Sequence, residues 1–401
     1  MAKIQEFMGY PRPDGTAGIR NKIAVISSVE CSAVIAKKIA EKVDNAVAIT
    51  HTGGCGQLGM DFQVTINTLV NLALNPNVFG TLVVGLGCEN MTSEMIRKRI
   101  EKSSKPVQSF DMQDVKGGTP GAIEKGVAIV KKMAEDAAKI KKEPFDFSKL
   151  VLGIKCGGSD GLSGVTSNPA VGIVSDRVVS SGGTSIMPEF TEWVGGEHLL
   201  AKRAATPEAG QRILDGINMF ISEMLNKGLD FRVTQPTLGN KKGGLSTIEE
   251  KSLGTIAKTG KAPIQGLFLY SEKVPGKGMW LLFEPGHDIE AMTGLAAAGA
   301  QAILFTTGRG SPCGNILAPV IKICANPETS DFMAENLDVD ASTIVKGTQT
   351  VEDIGELIWH KLVAVTNGEK TKAELLGHNE MAIWRGPELT LGYFEKFAKR
   401  E

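Results

Sequence analysis

The chain has 401 residues, 42% of them hydrophobic and 22% charged, and its formal net charge is -1. This length supports two or three domains with substantial cores, and the balance of charges removes the electrostatic basis for binding nucleic acid or an anionic membrane. Because no stretch reaches the roughly 18 apolar residues of a membrane span and the first residues lack the apolar core of a signal peptide, we expect a cytoplasmic protein with a small-molecule ligand.

Apolar runs alternate with amphipathic stretches through residues 1–145. Strands are predicted at residues 23–28, 46–50, 80–86 and 107–110, and helices at 33–42, 62–73, 93–102 and in a long segment reaching about residue 142. Such alternation predicts a parallel sheet with right-handed crossovers, a Rossmann-like layer. Residues 9–15, rich in glycine and proline, are predicted as a turn-rich entry segment.

The polar segment around Pro144 predicts a boundary before a second, larger α/β domain over residues 146–401, which has irregular insertions. Strands are predicted at residues 150–154, 184–187, 264–270, 279–283 and 302–305, and helices at 168–180, 197–205, 207–226, 330–335 and 351–366. Residues 396–401 are predicted to be a solvated end. The predicted fold class is therefore α/β, with two Rossmann-like parallel-sheet domains.

The densest group of reactive side chains follows the strand predicted at residues 150–154, in the sequence KCGGSDGLSG. Loops at the carboxyl ends of parallel strands open into the crevice where α/β proteins bind ligands. The Cys156 thiol, the Ser159 and Ser163 hydroxyls and the Asp160 carboxylate offer a metal ligand and several hydrogen-bonding groups. The alternative interpretation is a glycine-rich turn with a half-buried cysteine.

Cys55, Cys88 and Cys156 each follow a predicted strand and each lie beside glycine. Three protein ligands with one open coordination position are typical of a catalytic metal, and thiolates suit iron, iron–sulfur clusters or zinc. There is no CxxC pair to support a metal site by spacing alone. Cys31 also follows a strand and could be a fourth member, although no glycine lies near it.

The remaining cysteines and histidines are weaker candidates. Cys313 and Cys324 are expected to be packing residues. His51 lies closest to the predicted crevice, where it could act as a base or as a ligand. Structural roles are expected for the other histidines, which are His198, His287, His360 and His378.

Two cationic loops are candidates for holding an anion. Lys241 and Lys242 lie in a glycine-flanked segment, and Arg309 follows Thr306 and Thr307 between glycines. A guanidinium in such a setting suits bidentate binding of a carboxylate. The alternatives are solvated lysines and an exposed arginine in a surface turn.

Five motifs together carry a resemblance to a known family. They are HTGGCG at 51–56, GCE at 87–89, CGGSD at 156–160 with SGVTSNP at 163–169, NKKGGLS at 240–246, and FTTGRG at 305–310. In this order, from about Gly9 to His378, they resemble the altronate and galactarate dehydratase family.

The resemblance implies an iron-dependent lyase that removes water from a sugar acid to give a 2-keto-3-deoxy product. It implies that Cys55, Cys88 and Cys156 hold iron, either as a single ion or as a cluster. The catalytic residues implied are His51, Glu89, Asp160 and Lys241, with His51 or a lysine as the base. The substrate-binding residues implied are Ser159, Ser163, Glu189, Lys242, Thr306, Thr307 and Arg309.

The resemblance also bears on partners. Longer family members resemble this chain only after an added amino-terminal SAF domain, which implies that a separate small SAF-domain subunit completes an oligomeric enzyme. One alternative is the large subunit of a sulfolactate sulfo-lyase, although the cysteine retained at position 55 favours dehydration. Another is a non-catalytic iron–sulfur or ligand-binding protein. Nucleotide binding is disfavoured because no GxGxxG opens the first helix.

Overall fold

The structure is a computed structural model that describes residues 6–284 and 286–385. Its first half contains β1 (Glu6–Pro11), β2 (Ala17–Gly18), β3 (Lys22–Ser27), α1 (Ala33–Ala40), β4 (Ala46–Ile49), α2 (Gly59–Ala73), β5 (Val78–Gly85), α3 (Ser93–Glu101), β6 (Val107–Asp111) and α4 (Gly118–Ala138). The strands β3 and β5 are apolar and almost wholly buried, as expected for a parallel sheet covered on both faces.

The second half follows the same strand-and-helix alternation with more insertions. It contains β7 (Glu143–Asp146), β8 (Val151–Gly157), α5 (Ser167–Ser180), β9 (Thr184–Met187), α6 (Glu197–Lys202), α7 (Pro207–Asn226), α8 (Phe231–Thr234), α9 (Leu238–Lys242), α10 (Ile248–Ala257), β10 (Ile264–Leu269), β11 (Gly278–Phe283), α11 (Asp288–Ala298), β12 (Ala302–Thr307), β13 (Val320–Cys324), α12 (Pro327–Phe332), β14 (Val339–Asp340), α13 (Ser342–Val345), α14 (Val351–Thr366) and α15 (Lys372–Leu375).

Two parallel sheets organise these elements. The first has the strand order β4-β3-β5-β6, and the second has the order β10-β11-β9-β8-β12-β13-β14. In each sheet the chain first adds strands on one side and then crosses to the other, so that a topological switch point lies between β3 and β5 and between β8 and β12. The predicted α/β fold class with parallel sheets is confirmed.

Two local predictions are wrong. Residues 9–11 of the predicted turn-rich entry segment belong to β1, which pairs antiparallel with β2 and β7. The long helix ends at Ala138 and not near residue 142. Pro144, in the segment predicted as a domain boundary, lies in β7 and pairs with Met8, so this segment is part of a small antiparallel sheet. The solvated end predicted for residues 396–401 lies outside the described residues.

Helix α2 packs against α11 and joins the two halves. At its carboxyl end the Asn75 amide donates to the carbonyl oxygens of Ala296 and Ala300, at 2.8 and 2.9 Å. One continuous apolar core includes residues from both halves, such as Ile26 and Leu152. The two halves are therefore packed as one body.

Candidate active site

The site is built around the carboxyl end of β8, at the switch point of the larger sheet. Cys156 is the penultimate residue of β8 and lies beside Thr306 in the parallel register with β12. The following loop leaves the sheet at the position where α/β folds place their ligands. The sequence-based prediction placed this loop at a strand end, and the structure puts it there.

Two fully buried lysines contact one carboxylate beneath the loop. Lys155 donates from Nζ to Glu189, and Lys258 Nζ lies 3.3 Å from Glu189 Oε2; all three side chains are completely buried. Burial alone would lower the pKa of Lys155, but Glu189 and Asp288 raise it above its ordinary value, so the amine stays charged. Glu189 itself has a left-handed backbone (φ 82°), a strained conformation that often occurs at functional sites.

A second carboxylate links the thiol to a third lysine. Glu192 accepts at Oε2 from the Cys156 thiol at 3.2 Å, and its Oε1 lies 3.0 Å from Lys251 Nζ. Burial would raise the pKa of Glu192, yet Lys251, Lys155 and Lys258 lower it to about 2. Burial and the adjacent Glu189 raise the pKa of Cys156 to about 12. At neutral pH the sulfur therefore stays protonated and donates to an ionised carboxylate.

Two further acids border this group. Asp288 lies 3.1 Å from Lys155 Nζ and accepts from the Ser311 hydroxyl at 3.0 Å. Glu284 is fully buried, and burial raises its pKa well above the ordinary range. Its Oε1 accepts from the Gly286 amide at 3.0 Å, whereas Oε2 has no hydrogen-bond partner among the described residues. Burial thus favours the neutral form of the Glu284 carboxyl group.

A cavity of about 250 Å³ opens directly above the buried cluster. Hydroxyl, amide, carboxylate and ammonium groups of Ser159, Asp160, Ser163, Asn168, Lys251 and Thr255 line it, together with the apolar side chains of Val165, Leu245 and Leu253. Lys155 and Lys258 have no exposed side-chain surface, whereas Lys251 retains 11%. Lys251 is therefore the lysine through which the charged cluster reaches the cavity.

Asp160 fixes the shape of the cavity wall. Its Oδ1 accepts from the Ser163 amide at 2.9 Å and from the Ser163 hydroxyl at 2.5 Å, and Oδ2 accepts from the Asn326 amide at 3.2 Å. A Cβ atom at Gly308 would lie 2.1 Å from Asp160 Cγ, so this position admits no side chain. Asp160 therefore fixes Ser163 in the cavity wall and is itself held by Asn326, which follows β13.

Thr306 and Thr307 stabilise neighbouring loops. The Thr306 hydroxyl donates to the Asn168 side-chain oxygen at 2.6 Å, while Asn168 donates to the Gly254 carbonyl at 2.8 Å. The Thr307 hydroxyl accepts from the Gly310 amide at 2.9 Å. Both threonines are buried, so they position the cavity walls through these bonds.

The other predicted cations lie at the surface near this site. Lys241, Lys242 and Arg309 are all exposed. Their segments nevertheless contact the Cys156 loop: the Asn240 amide donates to the Ser159 carbonyl at 3.0 Å, and Arg309 N–H donates to the Gly158 carbonyl at 3.0 Å.

The remaining predicted residues lie at the edge of the smaller sheet. His51 accepts at Nδ1 from the Gly53 amide and places Nε2 3.1 Å from the Ser27 carbonyl; burial lowers its pKa to about 4, so the ring is neutral and both nitrogens are engaged. Glu89 is buried and accepts from the Ser28 hydroxyl at 2.6 Å. Burial opposes the ionisation of Glu89, but hydrogen bonds from Ser28 and Gly87 lower its pKa below the ordinary value.

The three cysteines predicted as iron ligands lie in two environments. Cys55 and Cys88 are exposed in loops of the smaller sheet, whereas Cys156 is buried in the larger one. Among the described residues, three candidate ligand atoms lie within 4.8 Å of one another only at Cys156, Glu189 and Glu192. Because three lysines already neutralise these carboxylates and the sulfur is protonated, that group does not fit an added iron ion.

Several residues of the site were not found from the sequence. They are Lys155, Glu192, Lys251, Thr255, Lys258, Glu284 and Asp288. Two signals could have indicated some of them. Lys155 is a charged residue at the end of an otherwise apolar strand, and Lys251, Thr255 and Lys258 recur at the three- and four-residue spacing of one helix face.

The described residues contain no helix long and apolar enough to cross a membrane.

Comparison with protein families gives two matches. The model described as "D-galactarate/Altronate dehydratase, C-terminal" matches residues 147–388, and that described as "D-galactarate dehydratase/Altronate hydrolase, second domain" matches residues 9–138.

Individual relatives match nearly the whole chain. Altronate dehydratase of Bacillus subtilis is 35% identical, over 94% of this chain and 77% of the relative. Galactarate dehydratase (L-threo-forming) of Escherichia coli is 35% identical, over 96% of this chain and 77% of the relative. The beta subunit of (2R)-sulfolactate sulfo-lyase of Chromohalobacter salexigens is 35% identical, over 96% of this chain and 98% of the relative.

Proposed function

Since the chain belongs to the D-galactarate/altronate dehydratase family and is a hydro-lyase, we propose that it removes water from an altronate- or galactarate-like sugar acid to give a 2-keto-3-deoxy acid. The observation that carries the proposal is the cavity beside Cys156, where polar groups lie together on one part of the wall and Lys251 makes the connection to the buried ion cluster. A polyhydroxylated acid needs both a cation and several hydroxyl partners, and this cavity offers them within one enclosure.

Lys251 is the residue we assign to the substrate carboxylate. Burial would lower its pKa, but Glu192 raises it above the ordinary value, so the amine stays protonated and serves as a cation and not as the base. An ammonium beside the carboxylate favours loss of the adjacent carbon-bound proton, because negative charge develops on that carboxylate as the proton leaves.

The opposite wall is assigned to the substrate hydroxyls. Ser159, Ser163 and Asn168 line the cavity, and Asp160 fixes Ser163. Hydrogen bonds between these groups and the substrate hydroxyls, with Ser163 as an acceptor, hold the chain of the sugar acid so that the carbon-bound proton and the departing hydroxyl keep one orientation. Lys241, Lys242 and Arg309, exposed at the surface near this site, attract the anion toward it.

Iron is proposed as the cofactor, and when bound it would supply Lewis-acid chemistry for the elimination. Exposed thiols at the edge of the smaller sheet, including Cys55 and Cys88, are donors of the type that iron accepts, and their loops are joined through Asn90. They fit iron better than the cluster around Cys156, where lysines neutralise the carboxylates.

A separate small SAF-domain subunit is proposed as the partner. This is supported by the sulfo-lyase relative, which is a beta subunit and which this chain covers over 98% of its length. The same relative is the reason to keep a second candidate function, the release of sulfite from sulfolactate by the same type of elimination.

One assay separates these functions. The anaerobically purified chain, alone and with the candidate small subunit, is given altronate, galactarate and sulfolactate in parallel. The proposal predicts formation of a 2-keto-3-deoxy acid from one of the sugar acids and no sulfite. Sulfite release from sulfolactate, with no keto acid formed from either sugar acid, would establish the second candidate. No product from any of the three would contradict both.

A further inference from the structure

Three exposed thiols share the carboxyl edge of the smaller sheet. Cys31 follows β3, Cys55 follows β4 and Cys88 follows β5, and all three are exposed. The other three cysteines, Cys156, Cys313 and Cys324, are buried and belong to the larger domain.

The strand order brings these thiol-bearing loops together. The strands β4, β3 and β5 are consecutive neighbours, with parallel registers that align their carboxyl ends. The switch point between β3 and β5 opens the sheet edge between the Cys31 and Cys88 loops, and such a crevice is where doubly wound sheets bind their ligands.

Backbone hydrogen bonds interlock the three loops. The Glu30 amide donates to the Gly53 carbonyl at 3.1 Å, and the Met91 amide donates to the Gly54 carbonyl at 3.1 Å. A Cβ atom at Gly54 would lie 2.2 Å from the Ser28 carbonyl oxygen, so the Cys55 loop lies directly on the loop that carries Cys31. The three cysteines are therefore presented by one rigid unit.

Asn90 completes the connection on the Cys88 side. Its side-chain oxygen accepts from the Gly56 amide at 3.1 Å, and its amide donates to the Gln57 carbonyl at 2.8 Å. The two residues that follow Cys55 are thus tied to the residue two positions after Cys88. These bonds do not use the thiols, which remain available as ligands.

The spacing of the thiols distinguishes two kinds of iron centre. Within the described residues, Cys31, Cys55 and Cys88 do not place their three sulfur atoms within 4.8 Å of one another. A single ion needs its ligands that close, whereas in an iron–sulfur cluster each cysteine binds its own iron and the sulfur atoms stand further apart. Three cysteine ligands would leave a further iron of a four-iron cluster without a protein ligand.

We propose that Cys31, Cys55 and Cys88 hold an iron–sulfur cluster, and that Cys156 is not a ligand. This assignment rests on the proposed function only in taking iron as the metal. Cys31 replaces Cys156 in the predicted set because it shares the sheet edge with Cys55 and Cys88, whereas Cys156 lies in another sheet between Glu192 and two buried lysines.

The test measures bound iron and acid-labile sulfide in the full chain, purified and reconstituted without oxygen with ferrous iron and sulfide. Cys31→Ser, Cys55→Ser and Cys88→Ser are compared with Cys156→Ser and Cys324→Ser. The first three are each expected to lose most of the iron, the sulfide and the visible charge-transfer absorption. The last two are expected to keep the wild-type content. Thermal unfolding verifies that each variant is folded.

Several results would overturn the assignment. These are a wild-type chain without iron, iron without labile sulfide, a Cys31→Ser variant that keeps the cluster, or a folded Cys156→Ser variant that loses it. A Cys156→Ser variant that fails to fold is replaced by Cys156→Ala for the same comparison. A cluster held by the three cysteines in a chain that turns over no sugar acid would support the assignment and count against the proposed function. Turnover of a sugar acid by a chain that holds no iron would count against the assignment and would support the proposed dehydration.

Discussion

Lys251 and Glu192 form an ion pair, with Nζ 3.0 Å from Oε1, at the boundary between the proposed substrate cavity and the buried thiol of Cys156. Both side chains are about one-tenth exposed, so the pair is largely but not completely shielded from water. A protonated lysine held by an ionised partner is a fixed cation, which suits the binding of a carboxylate.

Removing the Glu192 charge tests this pair. In Glu192→Gln the ammonium of Lys251 loses its main partner, and we expect the free energy of unfolding to fall by about 3 kcal/mol. The pKa of Cys156 should also fall, because Glu192 is one of the groups that raise it. Urea denaturation measures the first effect, and the pH dependence of alkylation the second. The control is Glu250→Gln, because the exposed Glu250 carboxylate accepts from Ser246. An equal loss of unfolding free energy in Glu250→Gln would contradict the role of the Lys251–Glu192 pair.

A side chain at Gly308 should damage the cavity without touching the ion cluster. In Gly308→Ala the new Cβ would overlap Asp160 Cγ, which must move and release Ser163. A displacement of this size in the substrate site is expected to lower kcat/KM by about 100-fold. The matched control is Gly239→Ala, where the nearest atom to the new Cβ is 3.8 Å away. Similar kinetics for the two variants would show that Asp160 does not shape the site.

The interface between the two halves depends on Asn77. Its side-chain oxygen accepts from the Ile19 amide at 2.9 Å, and its amide donates to the carbonyls of Gln301 and Leu317 at 2.9 and 3.1 Å. Asn77→Ala would leave buried groups of both halves unsatisfied, and we expect a loss of about 3 kcal/mol in the free energy of unfolding. Asn367→Ala, at an exposed bond to the Met8 amide, serves as the control. A loss below about 1 kcal/mol in Asn77→Ala would contradict this role.

Arg20 and Glu374 predict a dependence of stability on pH. The guanidinium donates to both carboxylate oxygens, at 2.9 and 2.8 Å. Burial would raise the pKa of Glu374, but Arg20 lowers it below its ordinary value of 4.5. Since the folded pKa is the lower one, the stabilisation is complete above pH 4.5 and is lost as the pH falls through the folded pKa.

Arg20→Gln should therefore destabilise the chain by about 2 kcal/mol at pH 7, and its deficit relative to the wild type should shrink below pH 4.5. Urea denaturation of both proteins across this range measures the difference. A deficit that stayed constant down to pH 3 would show that the pair does not titrate as described.

The sequence predicts the four strands of the smaller sheet and five of the seven strands of the larger one from their apolar runs, but not β13 and β14. It placed Cys156 and Asp160 at a strand end for the same reason. It could not supply Glu192, Lys251 or Lys258, since these come from other elements and only the folded packing brings them to the thiol. The role of Lys155 could not be predicted, because a charged residue in a buried strand can be interpreted only once its carboxylate partners are known.

The order of the strands in the sheet decides which cysteine-bearing loops lie side by side, and hydrophobic periodicity in the sequence does not reveal that order. Cys31, Cys55 and Cys88 are 24 and 33 residues apart in sequence, as expected for cysteines that follow successive strands of strand–helix units. Only the order β4-β3-β5 makes their loops neighbours. The prediction of Cys55, Cys88 and Cys156 as ligands rests on the glycine beside each of them, and that local feature carries no information on which sheet a residue joins.

The most direct test of the proposed substrate site is the steady-state kinetics of Lys251→Met with the sugar acid that the wild type dehydrates, measured together with iron content and thermal unfolding. Lys202→Met, an exposed lysine on α6, is the control. We predict that Lys251→Met remains folded, keeps its iron and loses at least about 100-fold in kcat/KM, while Lys202→Met stays within about twofold of the wild type. A folded Lys251→Met variant with wild-type kcat/KM would contradict the placement of the substrate in the cavity beside Cys156.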